Sequence, residues 1–162
     1  HQYMDKHLFY KKKFKQSFIP NGENYNVLDE IERFDRILEE HPRDLQLLGL
    51  GINGHIGFNE PGESFELRTH LTRLSTVTLG TYQNYFKVLE DAPQYAYSMG
   101  IKSILEAKHI VLMAFGAHKA KAVKDMVEGP VNRNVPASVL QQHKKTTILL
   151  DREAGRLLFN RE

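Results

Sequence analysis

The chain has 162 residues, a net charge of +2 and 26% charged residues, too small a positive excess to argue for nucleic acid or an anionic membrane surface. Its length fits one domain burying roughly 68–70% of its unfolded surface, and its 41% hydrophobic content is ordinary for a soluble globular protein. The absence of cysteine excludes disulfides and thiolate chemistry, and no apolar run approaches the roughly 18 residues of a membrane span.

The opening stretch, Tyr3 to Phe18, mixes aromatics with lysines. Leu8, Phe9, Phe14 and Phe18 are expected to line one side of an irregular helix, and Lys11 to Lys13 form a solvated face. Pro20-Asn21-Gly22 is a turn signal. From Val27 the pattern is helical, with Val27, Leu28, Ile31, Phe34, Ile37 and Leu38 on one stripe and acids opposite. His41-Pro42 ends that helix. Leu45 to Leu50 then reads as a buried strand.

That strand feeds the most unusual stretch of the chain, Leu47 to Gly62, which reads LLGLGINGHIGFNEPG. Gly49, Gly51, Gly54 and Gly57 surround His55, and Asn59, Glu60, Pro61 and Gly62 close the segment. A strand breaking into a glycine-rich loop exposes backbone N–H groups and admits a ligand closely. His55 and Glu60 give the loop acid–base capacity, and an amide or carboxylate such as Asn53 or Glu60 can fix one imidazole tautomer. Gly49, Gly51 and Gly54 spell a literal G-x-G-x-x-G, but Gly57, Pro61 and Gly62 follow too soon for the helix that a dinucleotide turn needs. No cofactor is therefore expected. Nor is a metal: His55 and Glu60 lack the H-E-x-x-H spacing, and no third ligand stands out.

Beyond the loop, Arg68 to Ser75 alternates only partly and fits either strand or loop. Thr81 to Leu89 reads as helix, Tyr95 to Gly100 as a short strand, and Ile101 to Ala107 as one or two helical turns. His109 to Phe115 is an apolar, β-branched strand ended by Gly116. Ala117 to Glu128 is a helix stopped by Gly129-Pro130, Pro136 to His143 a short helix, and Thr146 to Asp151 a final buried strand. Apolar strands alternating with helices predict an α/β fold with a parallel sheet covered by helices on both faces. From the residues alone, this is an α/β protein with a loop-borne acid–base site.

The run GLGINGHIGFNEPG closely resembles the signature of the glucosamine-6-phosphate deaminase/isomerase family. Agreement continues through Ser64-Phe65, Arg68-Thr69, Gly116 with Lys119, and Glu128-Gly129, so the resemblance covers essentially all of residues 1–162. It implies a Rossmann-like parallel-sheet fold. It further implies that the chain is the C-terminal portion of a single domain, the family's first strand, phosphate loop and general-base aspartate lying in an N-terminal part missing ahead of His1. No aspartate here matches that base. Without the first strands, the sheet is expected to expose an unpaired edge and an apolar face.

The resemblance also implies a chemistry, aldose–ketose isomerisation of an amino-sugar phosphate with loss of ammonia. His55 takes the place of the catalytic histidine that shuttles a proton during ring opening. Glu60 matches its acidic partner and Asn53 the residue completing the relay; some members carry aspartate there. Gly54 and Lys119 fall at substrate-binding positions, Lys119 as the phosphate lysine near a helix N-terminus. The phosphate arginine falls at Asn84, which cannot give a bidentate anion contact. His70 matches a position where some members bind an effector, without implying allostery here. Glucosamine 6-phosphate is the expected substrate, with galactosamine 6-phosphate second. The alternatives are a 6-phosphogluconolactonase-like hydrolase, which lacks the Phe58-Asn59-Glu60-Pro61 continuation, and a non-catalytic sugar-phosphate-binding module. A cytoplasmic enzyme is expected, with no nucleic-acid or membrane partner, and a homo-oligomer is compatible with the sequence.

Overall fold

A computed structural model describes residues 2–81 and 93–159. The chain opens with α1 (Gln2–Met4), which runs directly into a π-helical turn at Asp5–Phe9. The helix expected as far as Phe18 therefore stops early. Its apolar positions do not repeat at helical spacing, and single ring contacts hold the segment instead: Phe9 meets Phe14 edge-on, and Phe18 stacks on His41.

Helix α2 (Val27–Glu40) starts where the Asn26 side chain accepts the Asp29 backbone N–H at 3.3 Å. Phe34 and Leu38 are buried as the stripe requires, but Leu28 is exposed. One acid turns inward instead. Glu30 is buried because the Arg33 guanidinium donates to it at 2.8 and 2.6 Å and the Asn21 N–H at 2.6 Å. A carboxylate supplied with three donors tolerates a site that periodicity alone assigns to an apolar residue.

Strands β1 (Leu45–Gly49), β4 (His109–Ala114) and β5 (Thr146–Leu150) form a parallel sheet in the order β1-β4-β5. The register sets Leu48, Leu112 and Ile148 side by side. The pleat sends Leu48, Ile110, Leu112 and Ala114 to one face. There they meet Ile101 and Ile104 of α4 (Ile101–Leu105), Val123 and Met126 of α5 (Ala120–Glu128), and Val139 and Leu140 of a 3₁₀ segment, Pro136–Gln142. The expected parallel α/β architecture is present. Among the described residues this dense core occupies one face, and Leu45, Leu47 and Leu149 are exposed on the other. No described strand pairs with the outer edge of β1.

Arg68 to Ser75 resolves as β2 (His70–Arg73), which pairs antiparallel with β3 (Tyr95–Ser98), His70 lying opposite Ser98. This pair stands apart from the parallel sheet. Helix α3 (Thr76–Thr81) follows β2, so a helix begins before the expected start at Thr81. The rest of that expected helix, and Asn84, lie outside the described residues. No helix of the described residues is long and apolar enough to cross a membrane.

The topology locates the site. β1 and β4 are parallel neighbours, so the loops leaving Gly49 and Ala114 emerge at the same edge of the sheet. Ligands in such sheets sit beyond the carboxyl ends of the strands. Here those loops carry His55 and Lys119.

Candidate active site

The loop after β1 is pegged at both ends. Leu50 and Ile56 are buried in the core, and the fully buried Asn59 donates its side-chain N–H to the carbonyls of Ile56 at 2.8 Å and Met99 at 3.0 Å. Between these pegs the chain turns tightly, with Gly51 N–H donating to His55 O at 2.9 Å and Gly54 N–H to Gly51 O at 3.0 Å. Gly54 has φ +84°, and a Cβ there would lie 3.0 Å from Val135 Cγ1. Gly54 packs against the Pro136–Gln142 segment, its carbonyl accepting the Ala137 N–H, and its own N–H is already used. It does not stand on the cavity wall. Its positive φ shapes the turn that carries His55.

Three side chains of this loop form a continuous chain of hydrogen bonds. Asn53 Nδ2 donates to Glu60 Oε2 at 2.8 Å, and Asn53 Oδ1 lies 2.7 Å from His55 Nδ1. Glu60 Oε2 is 3.7 Å from the same Nδ1. The polarity follows from Glu60, because an ionised carboxylate only accepts. Asn53 must turn its NH₂ to Glu60 and its carbonyl to His55, which fixes the proton of the neutral imidazole on Nδ1. The lone pair is then on Nε2.

Charge distribution supports that state. Burial pushes the His55 pKa below its ordinary value; the Glu60 charge pulls it upward and the Lys119 charge pushes it down, leaving a net lowering. Burial would raise the Glu60 carboxyl, but hydrogen bonds from Thr78 and Asn53 and the nearby imidazole hold it below the usual range. At neutral pH the pair is a neutral imidazole beside a carboxylate. An activity needing the Nε2 lone pair is flat above the lowered His55 pKa and falls as pH drops through it. Stability moves the same way: the unfolded histidine takes up a proton near its ordinary pKa and the folded one resists, so stability falls as pH drops below about 6.5.

Among the described residues, Glu60 supplies the charge that raises the His55 pKa, and removing it removes that influence. Glu60→Gln is expected to shift the His55 imidazole titration, followed by NMR, to still lower pH. An unchanged or higher midpoint would break the link between the two side chains.

These groups back onto a cavity of about 390 Å³ lined by Leu50, Gly51, His55, Phe58, Thr78 and Lys119 among others. Lys119 ends the 3₁₀ turn Ala117–Lys119 and caps the start of α5. Its Nζ donates to Leu50 O at 2.7 Å, and burial lowers its pKa. An ammonium with three protons that gives one to Leu50 retains two for an anion. His55, Asn53, Glu60 and Lys119 thus converge. His70 does not join them: its ring contacts Arg68 O at 2.9 Å and Glu63 at 3.3 Å.

The sequence reading missed Ser75 and Thr78. Thr78 Oγ1 donates to Glu60 Oε1 at 2.5 Å, and the Ser75 N–H reaches the same oxygen at 3.4 Å. The available signal was the Ser75-x-x-Thr78 spacing of hydroxyl residues at a helix start.

The sequence model of the family described as glucosamine-6-phosphate isomerases/6-phosphogluconolactonase matches residues 3–149. The chain belongs to this family. A glucosamine-6-phosphate deaminase of Listeria monocytogenes is 54% identical over 158 residues, covering 98% of this chain and 68% of that protein. A glucosamine-6-phosphate deaminase of Leuconostoc citreum is 52% identical over 155 residues, covering 96% of this chain and 66% of the relative. The solved structure of a monomeric glucosamine-6-phosphate deaminase superposes with a TM-score of 0.92 at 41% identity, covering 96% of this chain and 66% of that one. The 6-phosphogluconolactonase of Trypanosoma brucei, at TM-score 0.64 and 18% identity over 86% of this chain and 57% of its own, shares the fold. The chain spans about two thirds of the length of these deaminase relatives.

Proposed function

We propose that this chain carries the ring-opening and phosphate-binding machinery of an amino-sugar-phosphate deaminase/isomerase, acting on glucosamine 6-phosphate to give fructose 6-phosphate and ammonia. The observation that carries this reading is the Glu60–Asn53–His55 hydrogen-bond chain ending on a cavity that also holds Lys119. The two deaminase relatives and the superposed deaminase structure support it.

With Nδ1 committed to Asn53, Nε2 takes the proton of the anomeric hydroxyl and returns it to the ring oxygen, so that the sugar opens to the aldehyde form. The imidazolium formed in passing lies 3.7 Å from Glu60, whose charge stabilises it. The open sugar then moves a proton from C2 to C1, and water releases ammonia from the ketimine. Among the described residues the cavity wall holds no aspartate to act at C2. The residues here account for ring opening and for holding the phosphate. The site lies in a cytoplasmic enzyme of amino-sugar metabolism on this reading.

Ammonia release from glucosamine 6-phosphate and galactosamine 6-phosphate by the purified protein tests the reading, and the first sugar is expected to be preferred. Hydrolysis of a 6-phosphogluconolactone without ammonia release would overturn it in favour of the lactonase chemistry. Lys119→Met is expected to raise KM for the sugar phosphate roughly ten- to a hundredfold, the loss of a hydrogen bond to a charged group, with a smaller change in kcat. Steady-state kinetics check this; an unchanged KM would remove Lys119 from phosphate binding.

A further inference from the structure

Glu60 is held from two sides, and the proposed function uses only one. Its Oε2 faces Asn53 and His55; its Oε1 accepts the Thr78 hydroxyl at 2.5 Å and the Ser75 N–H at 3.4 Å. The Ser75 hydroxyl donates to Thr78 Oγ1 at 3.0 Å and accepts the Thr78 N–H at 3.2 Å. Thr78 has one hydroxyl proton. Because Ser75 supplies a proton to its oxygen, that proton is left pointing at Glu60. Thr78 is 3% exposed and stands on the cavity wall, so water does not readily replace it.

We propose that Thr78, supported by Ser75, is a positioning residue of the ring-opening relay that fixes the polarity of the Glu60–Asn53–His55 chain. The inference rests on the reading of His55 as the ring-opening group. Its physical content is the direction of the hydrogen bonds. While Glu60 is an ionised acceptor, Asn53 presents its carbonyl to His55 and the Nε2 lone pair faces the sugar. If Oε1 loses the Thr78 hydroxyl, only the long Ser75 N–H contact at 3.4 Å remains on that buried oxygen, and the balance at Glu60 moves toward taking a proton. A protonated Glu60 donates to the Asn53 carbonyl, and the amide turns over. Asn53 then offers NH₂ to His55 Nδ1, and the imidazole proton moves to Nε2. The two relay bonds remain but are reversed in sense, the His55 backbone N–H loses its 3.3 Å bond to Asn53 Oδ1, and the chain cannot take a proton from the sugar. This also ties the site to the seating of α3, since Ser75 and Thr78 begin that helix.

The test compares Thr78→Val, Thr78→Ser and the unaltered protein. In Thr78→Val, carboxyl NMR should show Glu60 titrating at higher pH, and nitrogen NMR of His55 should show the proton shifting toward Nε2. Ammonia release should fall roughly tenfold in kcat, as expected for one lost hydrogen bond to a charged group, with KM within about twofold; Thr78→Ser should restore all three. Ser75→Ala, which keeps the Ser75 N–H, should shift the same signals more weakly and serves where Thr78→Val does not fold. An unchanged Glu60 titration and an unchanged His55 tautomer in folded Thr78→Val would overturn the proposal. The NMR signals do not depend on turnover, so a protein that releases no ammonia would count against the function alone.

Discussion

His55→Gln is expected to lower turnover on the cyclic sugar phosphate by roughly 10²- to 10⁴-fold, the usual contribution of a positioned proton-transfer group. Glutamine keeps an N–H able to reach Asn53 Oδ1, now 2.7 Å from the imidazole, so the loop retains its hydrogen bond. What disappears is the Nε2 lone pair. KM should move little, because Lys119 and the rest of the cavity wall are untouched. Steady-state ammonia release measures both constants, and a kcat within tenfold of the unaltered protein would remove His55 from the reaction.

Gly51→Ala should be nearly as damaging, although residue 51 performs no chemistry. A Cβ at Gly51 would lie 2.4 Å from His55 Cε1 and 2.4 Å from Nδ1, the nitrogen that Asn53 holds. The backbone has little room to retreat, because Gly51 N–H is bonded to His55 O and Gly51 O accepts the Gly54 N–H. The ring must swing away and its bond to Asn53 must break. Loss of turnover of at least about 10²-fold is expected, as for other misplacements of a reacting group. The fold should survive with a destabilisation of about 1–3 kcal/mol, typical of overpacking. Thermal unfolding and ammonia release, measured together, check both halves. A fully active Gly51→Ala would show that the ring position in this structure is not the working one.

These expectations show which parts of the molecule the sequence carried openly. The strands at Leu45, His109 and Thr146 and the helices at Val27 and Ala120 are marked by apolar period and by punctuation such as His41-Pro42, Gly116 and Gly129. Asn53, His55 and Glu60 were legible because they lie within eight residues of a single glycine-rich loop, so their meeting is local.

Other features depend on partners that no short pattern reveals. Glu30 is inside because Asn21 and Arg33 meet it there. The β2–β3 pair joins two four-residue strands, too short for their alternation to identify them firmly. Gly54 is tied to the turn through Gly51 O and lies close against Val135, a contact across the fold that glycine spacing does not announce. Thr78 is 18 residues from Glu60, and a hydroxyl at a helix start more often caps the helix than holds a distant carboxylate.

The central claim is that His55 opens the sugar ring, and ring opening can be followed without the later steps. The α and β anomers of glucosamine 6-phosphate interconvert only through the open chain, so a group that moves a proton between the anomeric hydroxyl and the ring oxygen accelerates their exchange whether or not ammonia is released. Magnetisation exchange between the two anomeric protons should therefore quicken when the purified chain is added and return to the uncatalysed rate with His55→Gln. Binding of the sugar without faster exchange, or equal acceleration by His55→Gln, would contradict the account.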